Sequence, residues 1–184
     1  MVLAEVHHRQ EAALAILVKA LTVALEDTQK EPMFIFIGTD RHVLDCFGPL
    51  TGSMLSSLEP ELIVYGTLDR PLHAQNLVSG LKNAREANGD RIVVAVDASA
   101  GREDEIGLIR IKKGGIVPGK ALARNLPTVG QIAITGIVDT KHAQQLTRAQ
   151  RRPGLALVYN MAGLLSGVIS EWHRIQYPVT ERRI

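Results

Sequence analysis

RIVVAVDA, residues Arg91 to Ala98, is the stretch that decides the fold. The unbroken apolar run Ile92 to Val96 is too short for a helix and carries no polar position. It follows the turn signal Asn88-Gly89 and leads into the small residues Ala98, Ser99, Ala100 and Gly101. A run of this kind predicts a strand buried on both faces.

Outward from it the same pattern repeats. Upstream, Leu77, Val78, Leu81 and Ala84 give a helix over 74–87 with one apolar face, preceded by a buried strand LIVYG (Leu62 to Gly66). Before that, Gly48-Pro49 opens a helix whose inner face is Leu50, Met54, Leu55 and Leu58, closed by Glu59-Pro60. MFIFIG (Met33 to Gly38) is a further buried strand. Residues 1–30 read as an amphipathic helix with the stripe Leu14, Leu17, Val18, Leu21 and Leu25.

Downstream, Ile106 to Lys112 and Gln131 to Val138 read as strands, separated by an irregular stretch marked by Gly114, Gly115, Pro118 and Gly119. A short helix from Lys141 and a longer one over 154–173 follow. The latter carries Leu155, Val158, Tyr159, Ala162, Leu165, Ile169 and Trp172 on one side, and residues 175–184 read as a mobile tail. Strands alternating with helices predict one α/β domain over 1–184, a three-layer sandwich with a mainly parallel central sheet.

Composition agrees. At 184 residues, 46% hydrophobic and 22% charged, the chain can bury a core, and 4% aromatic content makes that core aliphatic. A net charge of +2 is too small to argue for nucleic acid. The basic clusters Arg148, Arg151, Arg152 and Arg182, Arg183 lack interleaved aromatics and read as solvated surface. One cysteine, Cys46, precludes an internal disulfide and suits a reducing compartment. Charges at Glu5, Arg9, Glu11 and Lys19 argue against a signal peptide, and no stretch reads as a membrane span. The expectation is a cytosolic protein.

In open parallel sheets, ligands bind beyond the carboxyl ends of the strands. Two carboxylates are expected there. Asp45 precedes the Gly48-Pro49 helix start, where backbone N–H groups and the helix dipole favour a negative charge. Asp97 follows the apolar run Ile92 to Val96. Each has a plain alternative: Asp45 as a helix cap, Asp97 as a turn residue or the partner of Arg102. Together they fit either a water-activating pair sharing one proton or a divalent metal site completed by a histidine, with His42, His73 and His142 as the choices. Asp139 is a weaker strand-end candidate. Cys46 reads as a small buried hydrophobe and His7-His8 as a solvated helix start. No GxSxG elbow, phosphate-binding loop or dinucleotide fingerprint is present.

FIGTDRHVLDCFGPLTG (Phe36 to Gly52), VYGTLDRPLHAQNL (Val64 to Leu77), VVAVDASAGR (Val93 to Arg102) and LPTVGQIAITGIV (Leu126 to Val138) resemble, in order, the motifs of the YyaC-type sporulation protein family. That family is similar in fold to germination protease and to hydrogenase maturation peptidases, which implies a phosphorylase/hydrolase-like sandwich. In germination protease the residues matching Asp45 and Asp97 carry an atypical aspartic mechanism; in the maturation peptidases the matching acids bind nickel with a histidine. Cys46 and Phe47, between Asp45 and Gly48, are bulkier than the germination protease pattern.

The resemblance implies a sporulation or germination peptidase acting on a protein or peptide in the forespore or mother-cell cytoplasm. Asp45 and Asp97 would be catalytic, and Gly38, Thr39, Asp40, Arg41, Gly48 and Arg102 would receive the substrate. The aspartic reading needs no cofactor. The metal reading places nickel or zinc on Asp45, Asp97 and His142. A homo-oligomer is compatible with either; nucleic acid and membrane are not expected partners. A third reading is a non-catalytic assembly protein using the apolar N-terminal helix and Trp172 as its interface.

Overall fold

A fully apolar strand must bury two faces, because its successive side chains point to opposite sides of the sheet. The computed structural model describes residues 1–28, 30–118, 127–140 and 154–178. Its elements are β1 (Val2–His7), α1 (Ala13–Leu25), β2 (Pro32–Phe36), a 3-10 turn (Val43–Cys46), α2 (Phe47–Leu58), β3 (Val64–Tyr65), α3 (Leu77–Asn88), β4 (Ile92–Gly101), a second 3-10 turn (Glu103–Glu105), β5 (Leu108–Lys113), β6 (Ile132–Thr140) and α4 (Leu155–Gln176). The six strands lie in the order β1-β5-β6-β4-β2-β3. β3, β2, β4 and β6 pair in parallel, whereas β5 is antiparallel to β6 and β1 to β5.

Side-chain parity sorts the core into two layers. Phe34 and Phe36 of β2, Val94 and Val96 of β4, and Ile132 and Ile134 of β6 pack with α1, α2 and α4. Met33, Ile35, Val93, Ala95 and Ala133 face the other way, towards Leu77 and Ala84 of α3. This is the expected three-layer sandwich. The lower layer also takes Ile116 and Val129, joined by an antiparallel bridge at the edges of the stretch expected to be irregular. Buried Glu59, at the end of α2, accepts hydrogen bonds from Ser170 Oγ at 2.7 Å and Arg174 Nε at 2.9 Å and tethers that helix to α4.

Several expectations are corrected. Residues 2–7 are a strand, not the start of a helix: β1 pairs with β5 across about a hundred residues, reinforced by an Arg110–Glu5 ion pair. His7-His8 therefore do not begin a helix, and His8 Nδ1 lies 3.1 Å from the Gly107 carbonyl. Only Val64–Tyr65 of LIVYG form a strand, at the sheet edge and half-buried. β4 runs on to Gly101 because β6 pairs with it as far as Thr140. α4 continues to Gln176, past the start of the expected tail.

Leu14, Leu58, Val78, Leu155 and Tyr159 lie on the exposed sides of their helices. Trp172, expected at an interface, is buried within the chain. It is buried edge-on against Phe34, with ring centroids 6.2 Å apart. α4 has the length and composition of a membrane-crossing helix, yet half of that stretch is buried against α1, α2 and the sheet. The expected helix from Lys141, both basic clusters and the end of the tail fall outside the described residues.

Removing the Trp172 ring should open a cavity beneath α4. Trp172→Ala should lose about 3–5 kcal/mol in urea denaturation. A loss under about 1 kcal/mol, with a change in oligomeric state, would return Trp172 to an interface.

Candidate functional site

The site begins where β2 lets go of β4. Their ladder ends at Phe36 opposite Val96, and β2 departs through Ile37 and Gly38. Asp97, the next residue of β4, therefore stands at the end of the ladder while its own strand continues, paired with Thr135 of β6. It has the parity of Val93 and Ala95, on the face that α3 covers.

Asp45 is brought there by a folded-back loop. The Thr39 amide donates to the Asp45 carbonyl at 3.1 Å, and the Asp45 amide to the His42 carbonyl at 2.9 Å. Two glycines allow the approach. Gly38 has φ of 142°, and a Cβ on it would meet the Asp45 carbonyl oxygen at 2.1 Å; a Cβ on Gly48 would meet that of Ile37 at 2.2 Å. Both glycines are buried, and the nearest atoms a Cβ would meet there are the chain's own backbone. Asp45 makes no side-chain cap on its 3-10 turn or on α2, which sets aside its plain alternative.

Phe47 does not crowd the carboxylates. It turns into the core, its ring occupying the space that a Cβ on Gly136 of β6 would take, 2.6 Å from Cε1. Cys46 is buried, and burial together with the charges of Asp40 and Asp45 pushes its thiol pKa up, the opposite of what a thiolate nucleophile needs.

The two carboxyls sense each other. Burial, and then the charge of Asp45, push the Asp97 pKa up to about 8, against a hydrogen bond from the Ala98 amide. Burial also raises Asp45, opposed by His42, His73 and the Thr39 amide. Burial and the neighbouring Asp45 charge thus both favour the protonated form of Asp97 near neutral pH.

The structure brings His42 and His73 to Asp45. His73 arrives because Leu72 pairs with Ile37 at the end of β2 and accepts a hydrogen bond from the Gly38 amide at 2.8 Å. Sequence reading found a histidine in a loop there; no spacing announces the pairing of its neighbour Leu72 with Ile37, 35 positions earlier in the chain. Thr39 is half-buried beside Asp45, whereas Asp40 and Arg41 are exposed at the tip of the loop. Arg102 does not join the pair as expected of a partner to Asp97: its Nε donates to Asp104 Oδ1 at 2.9 Å. Asp139 accepts from the Thr140 amide at 2.8 Å.

Among the described residues no three His, Cys, Asp or Glu side chains gather as a metal would require, and His142, the expected third ligand, lies outside them.

Residues 5–168 match the family described as "Protein of unknown function (DUF1256)". The uncharacterized protein YyaC of Bacillus subtilis (strain 168) is 33% identical over 174 residues, covering 94% of this chain and 84% of its own. Among solved structures, the [NiFe] hydrogenase maturation protease HycI from Thermococcus kodakarensis KOD1 superposes with a TM-score of 0.53 at 18% identity. The match covers 83% of this chain and 97% of that one, and at such identity it is a likeness of fold.

The raised Asp97 carboxyl has a measurable cost. Between about pH 4, where an unfolded aspartate ionises, and pH 8, the native chain holds a proton that the unfolded chain has released. Its contribution to stability therefore falls as pH rises through that window. The melting temperature of Asp97→Asn relative to the wild type should climb from pH 4 to pH 8. A difference that stays flat across the range would show an ordinary, solvated carboxylate.

Proposed function

This chain belongs to the DUF1256 family, and from that premise, on a fold shared with a maturation protease, we propose that it is a peptidase whose Asp45 and Asp97 hydrolyse a peptide bond. One arrangement carries the reading. Asp97, whose burial pushes its pKa up to about 8, stands in the field of Asp45 at the carboxyl end of a parallel sheet.

In the proposed reaction Asp45, as carboxylate, takes a proton from water as its oxygen attacks the scissile carbonyl carbon. Asp97, as carboxylic acid, gives its proton to the carbonyl oxygen. Collapse of the tetrahedral intermediate breaks the C–N bond, the amine leaves with a proton from Asp45, and Asp97 recovers its own from the hydroxyl. Thr39 and Gly38 hold Asp45 in place through their contacts with its backbone.

The substrate is a protein or peptide. The cytoplasmic and sporulation setting rests on the motif resemblance in Phe36–Gly52 and Val93–Arg102. The assembly-protein alternative loses its stated surface, since Trp172 and the apolar stripe of α1 at Leu17, Val18, Leu21 and Leu25 are core.

With an internally quenched random decapeptide library, Asp45→Asn and Asp97→Asn should each lower cleavage by about 10²-fold or more. The pH dependence of kcat/KM should be bell-shaped, with its alkaline limb near pH 8 and its acid limb above the ordinary aspartate range. EDTA should leave the rate unchanged. Wild-type protein that cleaves no member of the library removes the peptidase reading; activity abolished by EDTA and restored by a divalent ion replaces it with a metal-dependent one.

A further inference from the structure

An edge strand leaves one row of backbone groups unpaired, and a peptide in extended form can complete it. β3 is such an edge, pairing with β2 alone among the described strands. After Tyr65 the chain swings away from β2 and returns at Leu72. The excursion between them bounds a cleft of about 720 Å³, within the ~300–1,000 Å³ of ligand sites. Tyr65 and Pro71 give this cleft apolar wall, and Thr67, Arg70, His73 and Asn76 give it polar groups.

Neither carboxylate lines the cleft, and His73 is its link to them. His73, the first residue after the chain returns to β2, both lines the cleft and acts on Asp45. Its ring is oriented: the Gln75 amide donates to Nδ1 at 3.3 Å, so the neutral imidazole carries its proton on Nε2. The rim is held by Asn76, whose Oδ1 accepts from the His73 amide at 2.8 Å and whose Nδ2 donates to the Pro71 carbonyl at 2.9 Å. Arg70 is exposed and makes no ion pair among the described residues.

We propose that this cleft is the substrate groove of the carboxylate pair: an extended peptide pairs its backbone with the free edge of β3 and passes His73 to reach Asp45 and Asp97. The inference rests on the peptidase reading for its destination. Its occupant is a peptide because the edge offers N–H and C=O groups at the spacing of another strand. Side chains of the bound segment would alternate between the Tyr65–Pro71 wall and the rim, where Arg70 would favour an acidic residue on its side and Asp69, which also lines the cleft, would disfavour one on its own.

The test uses binding and turnover separately. Full-length Asp97→Asn, labelled with ¹⁵N, is titrated with pooled end-blocked octapeptides of mixed sequence, half of them containing Glu. The expected amide shifts are confined to Val64–Asn76 and Thr39–Asp45, with the Glu-containing pool binding more tightly. In the otherwise wild-type chain, Arg70→Glu should raise KM by roughly tenfold and leave kcat within about twofold. Peptide shifts that avoid Val64–Asn76, or a wild type that cleaves with KM unmoved by Arg70→Glu, overturn the groove and leave the peptidase reading standing. Shifts confined to the cleft with no turnover by wild type keep the groove and remove the peptidase. Neither binding nor turnover removes both.

Discussion

Everything here hangs on the ladder between β2 and β4, in which Pro32–Phe36 run beside Ile92–Val96 and all but Ile92 at its rim are buried. With no polar face to offer water, this pair forces helices above and below, and so the three-layer architecture. It also forces the location of chemistry. Within the ladder no polar group could be satisfied except by backbone, so polarity must appear where the pairing stops. Asp97 is the first residue of β4 past that point, and the departing β2 leads straight into the loop that carries Asp45.

The electrostatic character of the site follows from the same burial. A carboxylate beside an apolar sheet is poorly solvated, and a second one nearby makes its ionisation harder still. Nothing in the described residues neutralises Asp97 with a cation; Arg102, the nearest in sequence, is spent on Asp104. A stabilising design would place an uncharged side chain there. The retained cost is the kind of local conflict that marks functional positions.

The loop Gly38 to Gly48 shows how little material the arrangement needs. Two glycines admit backbone contacts closer than any Cβ would allow, and the bulk of Phe47 is absorbed by a third glycine across the sheet at position 136. A neighbouring crossing, the return of Leu72 to Ile37, sets His73 against the same carboxylate and gives the edge cleft its inner wall.

The sequence by itself determined the elements whose signal is local: the apolar runs of β2 and β4, the helical periodicity of α1 and α4, and the layering they impose, because burial pattern is written in side-chain spacing. It also placed Asp97 at the end of the β4 run, since a polar residue after an unbroken apolar stretch marks the edge of a core, and Asp45 in the loop before the Gly48-Pro49 helix start. Tertiary structure alone decided the rest. Val2–His7 became a strand because β5 lay free to pair with it, and β4 ran past Ala98 because β6 continued alongside. The cores of Phe47 and Trp172 were settled by partners at Gly136 and Phe34, far off in the chain. Only pairing between distant segments joined His73 to Asp45 and turned two carboxyls into one coupled system, because the energy of such contacts depends on separation in space, which no local spacing records.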